Sequence, residues 1–257
     1  MELPVKARAL VSNAASTVIL GLMLTGALRA QGQTAPAAPA PPPPKWESSA
    51  TLGLALTRGN SDTMLFNGKI GTFRKWEHEE LRLGADATYG ENSGKTSAQQ
   101  EHGFGQFNYL FKDRFYGGLR IDALQDKIAD VSYRITVAPL AGYYFIKKEN
   151  TKLSAEVGPG FVFEKQGGQT DSYTTLRLGE RFEHKFSDKA RMWQTAEVLP
   201  QVDDFSNFIF IGELGAEAAL TKKVSLSVVL RDTYDNEPAA GRKKNDVALI
   251  SGITYRF

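Results

Sequence analysis

The amino-acid sequence predicts an all-β protein, a twelve-stranded antiparallel transmembrane β-barrel of the bacterial outer membrane. Three observations carry that expectation. From Trp46 to Phe257 the chain repeats segments in which apolar and polar residues alternate, the period of two that a half-buried strand requires. The breaks between segments alternate between tight polar turns and longer stretches rich in Gly, Ser and Asn. The final stretch, GITYRF, keeps Ile253, Tyr255 and Phe257 on one side and Gly252, Thr254 and Arg256 on the other, an apolar face running to the last residue.

The first element is not a strand. Lys6 and Arg8 precede a mostly apolar run, Ala14–Ala27, and small residues follow in ALRAQGQ. That order predicts a cleaved secretory signal peptide over residues 1–32. A helix crossing a membrane needs about 20 apolar residues, more than this run holds. Residues 33–45 come next, dominated by APAAPAPPPP (Ala35–Pro44). Polyproline II rises about 3.1 Å per residue, so this tract reads as a periplasmic linker roughly 30 Å long, or as a docking segment for a periplasmic partner.

Residues 46–257 form the barrel, with strands predicted near 46–57, 62–75, 80–90, 98–111, 114–126, 132–146, 151–164, 172–186, 190–202, 207–220, 224–235 and 246–257. The first aligns Ala50, Leu52, Leu54 and Leu56 on one face, and the third does the same with Leu81, Leu83, Ala85 and Ala87. In the seventh, Leu153, Ala155, Val157, Phe161 and Phe163 oppose Lys152, Ser154, Glu156 and Glu164. The tenth sets Phe208, Phe210, Leu214, Ala216 and Leu220 against Glu213 and Glu217, and the eleventh sets Val224, Leu226, Val228 and Leu230 against Ser225, Ser227, Arg231 and Thr233. The fourth and ninth alternate less cleanly.

WEHE (76–79), KD (112–113), KKEN (147–150), SDK (187–189) and TKK (221–223) are the tight turns; ENSGKTS (91–97), KQGGQTD (165–171) and NEPAAGRKKN (236–245) are predicted as longer loops at the opposite end. Short turns at one end, longer loops at the other and an even strand count are the signature of an outer-membrane barrel. Soluble sandwiches use strands of about 5–6 residues; a tilted membrane crossing needs about 9–11. Trp76, Phe115, Phe145, Phe186, Tyr255 and Phe257 at the turn end, with Tyr89, Tyr133, Phe163, Phe208 and Tyr234 at the loop end, read as interfacial girdles.

Chemistry is sparse. The chain has no cysteine, which excludes disulfides and thiolate metal sites. Removing Glu2, Lys6, Arg8 and Arg29 with the signal leaves 28 basic and 28 acidic residues from 31 and 29, so no basic face points to nucleic acid. The three histidines offer weak enzyme candidates. A lipase would need an outward Ser–His pair, and His184 with Ser187 is the nearest; a protease would need His102 with Asp203 and Asp204 at the rim. Gly117-Gly118 and Gly167-Gly168 precede no helix and make no phosphate-binding loop. No catalytic residue, cofactor or metal ligand is assigned.

Twelve strands at about 4.8 Å spacing and roughly 40° tilt give a backbone radius of about 12 Å. That lies between barrels filled by side chains and open porins. The inward faces carry Arg82, Arg120, Arg134, Arg177, Arg181 and Arg231 against Asp86, Asp122, Glu156, Glu183, Glu213 and Glu217. Buried charges are costly unless paired. Register counted outward from each turn predicts the lumen pairs Lys69 with Asp86, Asp122 with Arg134, Glu156 with Arg181, and Glu213 with Arg231. Paired charges would narrow the bore and leave little ion selectivity.

Trp46 with LGLAL and then LTRGNSD (56–62), VGPGFVFE (157–164), and YDNEP with KKNDVALISGITYRF (234–257) resemble landmarks of domain-of-unknown-function family 481, whose members are labelled salt-induced outer-membrane proteins. The resemblance covers the chain after the proline tract. It implies an outer-membrane barrel with a link to envelope stress, and no catalytic residue. Gly252, Tyr255 and Phe257 also resemble the C-terminal signal read by the outer-membrane barrel assembly machinery, with Ile250 where a polar residue is usual. The expected partners are that machinery, outer-membrane lipids and lipopolysaccharide.

Overall fold

The computed structural model describes residues 46–57 and 63–257; the signal segment, the Pro-rich segment and residues 58–62 lie outside the described residues. Twelve strands follow in order: β1 (Trp46–Thr57), β2 (Thr63–Lys75), β3 (Glu79–Asn92), β4 (Lys95–Leu110), β5 (Phe115–Asp126), β6 (Val131–Lys147), β7 (Thr151–Gln166), β8 (Gln169–Ser187), β9 (Ala190–Pro200), β10 (Phe208–Ala219), β11 (Val224–Asp235) and β12 (Asn245–Arg256). Each pairs antiparallel with its sequence neighbours, and β12 pairs with β1 from Ser49↔Arg256 to Gly53↔Gly252, closing the barrel. Closure leaves no strand as an unpaired edge of the sheet, the condition for a sheet in hydrocarbon.

The alternation sorts side chains as a membrane wall does. Leu52 is 62 % exposed, Ile70 60 % and Leu249 67 %, whereas Asp86 is 8 % and Arg177 3 % exposed. Apolar residues face out and charges face in, the reverse of a soluble core. Register keeps each face in phase: Ala50 stands opposite Ile70, and Ile70 opposite Ala85, all outward. The outer band ends in aromatic contacts. At the turn end the rings of Trp46 and Trp76 meet edge to face at 6.3 Å beneath the Arg74 guanidinium, and Tyr255 and Phe257 lie 6.0 Å apart. At the loop end Phe208 stacks on Tyr234 at 5.4 Å. Phe257 is exposed and its N–H donates to the Ser48 carbonyl at 3.2 Å.

Two predicted loops are corrected. Asn92 pairs with Lys95, and Gln166 with Gln169, so β3–β4 and β7–β8 are two-residue hairpins. Their hinges take positive φ: 50° and 75° at Ser93-Gly94, 58° and 80° at Gly167-Gly168. This is the I′-type geometry whose twist matches the flanking strands and which glycine adopts without strain. The apparent loop residues around each hinge therefore belong to strands, and β8 reaches 19 residues. The stretch 236–244 remains a true loop.

Inside, Leu110, Tyr116, Leu140 and Tyr144 form a buried cluster on the β4–β6 wall. The hydroxyls of Tyr116 and Tyr144 donate to Glu156 at 2.9 Å and Glu80 at 2.7 Å, so each ring buries its apolar body and keeps its polar tip satisfied.

Candidate functional site: the charged lumen

Ten inward charged and titratable residues, from Lys69 to Glu156, form one connected belt. Glu213 on β10 accepts a hydrogen bond from Trp193 Nε1 at 2.7 Å and lies 3.3 Å from Lys69 on β2 and 3.4 Å from Arg231 on β11. Arg231 donates to Asp86 on β3 at 2.9 Å. Asp86 and Asp122 hold His102 between them, 3.1 Å from Nδ1 and 3.2 Å from Nε2. Carboxylates accept and do not donate, so both contacts are hydrogen bonds only when both ring nitrogens carry protons. Arg120 forks Asp122 with two bonds of 2.7 Å and sits 3.9 Å from Glu197.

Arg177 ties the belt together. It donates to Glu197 at 2.6 Å and to Glu156 at 2.9 Å, and Glu156 also accepts from Gln106 at 2.6 Å. Local backbone chemistry makes this bridge. Gly179 lies opposite Glu156 on one side and Glu197 on the other. A Cβ on Gly179 would stand 3.1 Å from the Arg177 guanidinium, so the missing side chain is the notch through which Arg177 reaches both carboxylates. Such forked, charge-assisted bonds offset the cost of taking charges out of water.

Several of these pairs link strands that are not neighbours. In the wall, β2 and β10 are separated by β1, β12 and β11, yet Lys69 meets Glu213; Arg231 on β11 meets Asp86 on β3 across the same separation. Nearer the loop end, Arg134 on β6 bonds Glu164 on β7 and donates to Asp235 on β11 at 2.9 Å. These contacts run through the lumen rather than along the wall.

The structure places each sequence-predicted pair as follows. Glu213 stands opposite Arg231, with the ion pair already given. Lys69 also stands opposite Asp86, but the two side chains diverge, Lys69 to Glu213 and Asp86 to Arg231 and His102. The other two pairings are corrected. Asp122 faces Thr136, and Arg134 faces Leu124, because the position of the 127–130 turn and the bulge between Leu124 and Asp126 each displace the register by one residue. Glu156 faces Gly179, and Arg181 faces Ser154, because the hairpin hinge at Gly167-Gly168 lies one residue before the Gly168-Gln169 hinge that the predicted pairing requires. Displacing a hinge by one residue moves the pairing by two. Glu197, Trp193 and Gln106 are belt members that the sequence reading did not single out. The weak alternation of β4 and β9 hid the facing of all three.

Of the C-terminal residues, Tyr255 faces outward opposite Ala50 and Val224, while Gly252 lies inward opposite Gly53 and Ser227. The enzyme candidates do not assemble. His184 Nδ1 shares a 2.8 Å hydrogen bond with Thr151 Oγ1, and its ring stacks on Phe182 and meets Phe186 edge to face, while Ser187 Oγ accepts from the Lys189 N–H. His102 is committed to Asp86 and Asp122. In the 201–207 connection, Asp204 accepts from the Ser206 hydroxyl and N–H, which hold its carboxyl below the usual range. Among the described residues no cluster of three or more His, Cys, Asp or Glu is arranged to hold a metal ion.

The sequence matches the family described as protein of unknown function, DUF481, over residues 50–257. No curated protein matches it. Among solved structures, the NanC porin is 5 % identical with a TM-score of 0.53 over 82 % of this chain and 100 % of that one. The KdgM porin is 7 % identical with a TM-score of 0.45, covering 83 % and 99 %. The translocator domain of the autotransporter NalP from Neisseria meningitidis is 16 % identical with a TM-score of 0.43, covering 82 % and 87 %. At 5 % identity the likeness to the NanC porin is one of fold: a closed antiparallel barrel of the outer-membrane type.

Proposed function

The chain belongs to that family of unknown function, and we propose that it is a non-enzymatic outer-membrane barrel whose charged lumen is largely filled at the belt, leaving a narrow conduit for small solutes and ions. In this reading residues 1–32 are a cleaved signal, residues 33–45 a periplasmic linker, and the turn end with both termini faces the periplasm. Gly252, Tyr255 and Phe257 serve as the signal for barrel assembly. A role in envelope stress, including salt stress, rests on the labelling of the family.

The observation that carries the proposal is the set of ion pairs between non-neighbouring strands, Lys69–Glu213, Arg231–Asp86 and Arg134–Asp235. A porin that passes bulk water keeps its charges on the wall, whereas these span the bore. Single-channel recording of the refolded chain in planar bilayers tests it. Small steps that grow when Arg231→Ala opens the belt are the expected result. Large conductance in the unmodified protein, unchanged by Arg231→Ala, overturns the filled-lumen reading.

A further inference from the structure

On the turn side of the belt the inward face changes character. Lys152 on β7 and Arg181 on β8 are diagonal inward neighbours on paired strands, since Lys152 stands opposite Glu183 and Arg181 opposite Ser154, and Arg82 on β3 lies within Coulombic reach of both. β3 and β8 are separated by four strands one way round the wall and six the other, so these cations converge from opposing sides. Their carboxylate supply is poor. Arg181 has Glu183 at 3.6 Å, beyond hydrogen-bond length, and Glu183 is shared with Arg191 at 3.7 Å. Lys152 stands opposite the same Glu183. Arg82 lays its guanidinium over the Phe73 ring, 4.5 Å from its centre. Among the described residues neither Arg82 nor Lys152 forms an ion pair.

The neighbouring carboxylates are engaged elsewhere. Glu80 accepts from Tyr144 and pairs with Lys75 at 3.4 Å. Glu217 is held by Arg191 at 2.6 Å and by Arg256. Three cations of like sign in a narrow space repel one another, and a bound anion removes that repulsion. Arg181 is 38 % exposed to the lumen, so a solute can reach it.

We propose that Arg82, Lys152 and Arg181 form an oxyanion-binding site in the lumen, on the turn side of the belt, for a compact, multiply charged solute such as inorganic phosphate. Two guanidinium forks supply directional N–H donors suited to oxygen pairs, and the lysine adds a point charge. The inference uses the lumen of the proposed conduit but does not depend on whether the lumen conducts.

The test is titration calorimetry of the full chain refolded in detergent, with inorganic phosphate against chloride at equal ionic strength. Saturable one-site phosphate binding is expected, weakened at least tenfold by Arg82→Gln or Arg181→Gln and unchanged by Arg242→Gln in the exposed 236–244 loop. A thermal readout separates this from a purely structural role. Phosphate should raise the melting temperature of the unmodified chain but not of Arg181→Gln, and without phosphate Arg181→Gln should melt no lower than the unmodified chain. Absence of saturable binding, or binding that both substitutions leave intact, overturns the site. Phosphate binding by a barrel that never conducts would refute the conduit alone, and conduction without phosphate binding would refute the site alone.

Discussion

Arg177 and Arg181 lie on the same face of β8, four residues apart, and live in opposite surroundings. The side chain of Arg177 is 4 % exposed, with Glu197 and Glu156 at 2.6 and 2.9 Å; that of Arg181 is 38 % exposed, with one carboxylate at 3.6 Å. The difference comes from the residues across the ladder. Gly179, just beyond Arg177, is flanked by Glu156 and Glu197, whereas Arg181 is flanked by Ser154 and Thr195. An inward arginine is thus a brace or an exposed binding charge according to what the two adjacent strands present beside it. The loop-side belt is built of braces, and the turn side collects the cations that the belt leaves without partners.

The largest expected effect tests the brace. Arg177→Ala strands Glu156 and Glu197 in the interior, and removing one partner of a buried pair costs about 3–5 kcal/mol. Urea unfolding of the refolded barrel in lipid vesicles measures it. Arg181→Ala in the same assay should change stability by less than about 1 kcal/mol, since its pairing is exposed and long. Equal losses for the two variants would erase the distinction between the halves of the lumen.

A smaller effect probes pairing inside the belt. Glu213→Ala leaves Arg231 with Asp86 alone and should cost about 1–3 kcal/mol. Adding Arg231→Ala should recover part of that loss. Full recovery is not expected, because Glu213 also holds Lys69 and Trp193. Strict additivity in the cycle would mean that the two charges do not interact.

Which partner each charge finds was the part of this site that the sequence concealed. Strand number, inward facing and the inverted apolar pattern were legible, because Leu52, Leu54, Val157, Phe161 and their like repeat with a period that one residue of error would invert. Partner choice depends on where each hairpin folds. The glycine pair in KQGGQTD looked like the middle of a loop and is the whole hinge, and the Leu124–Asp126 bulge has no sequence mark that a count can use. Lys69 was concealed for another reason. Its register partner is Asp86, yet its flexible stem reaches across the bore to Glu213, a choice made by three-dimensional proximity rather than by the ladder. Glu197 was missed because Arg191, Trp193, Thr195 and Glu197 alternate with residues as mixed as Gln194 and Ala196, so neither face of β9 announces itself.

The smallest effect concerns the turn side, and its sign matters more than its size. Lys152 faces Arg82 and Lys185 as well as Glu183 and Glu80, so its charge meets repulsion and attraction together. Replacing it by glutamine removes one like charge while keeping the length of a polar side chain. In chloride buffer of low ionic strength, Lys152→Gln should therefore stabilise the barrel by a few tenths of a kcal/mol, at most about 1 kcal/mol. Salt weakens the repulsion over a screening length of about 10 Å at 0.1 M, so the advantage should shrink as salt is added. Arg177 should respond differently, because it is buried in direct contact with both of its carboxylates: the cost of Arg177→Ala should change little over the same range. Unfolding midpoints of both variants across a salt series decide the matter. A Lys152→Gln barrel that is less stable than the unmodified chain at low salt would place that lysine among the braces.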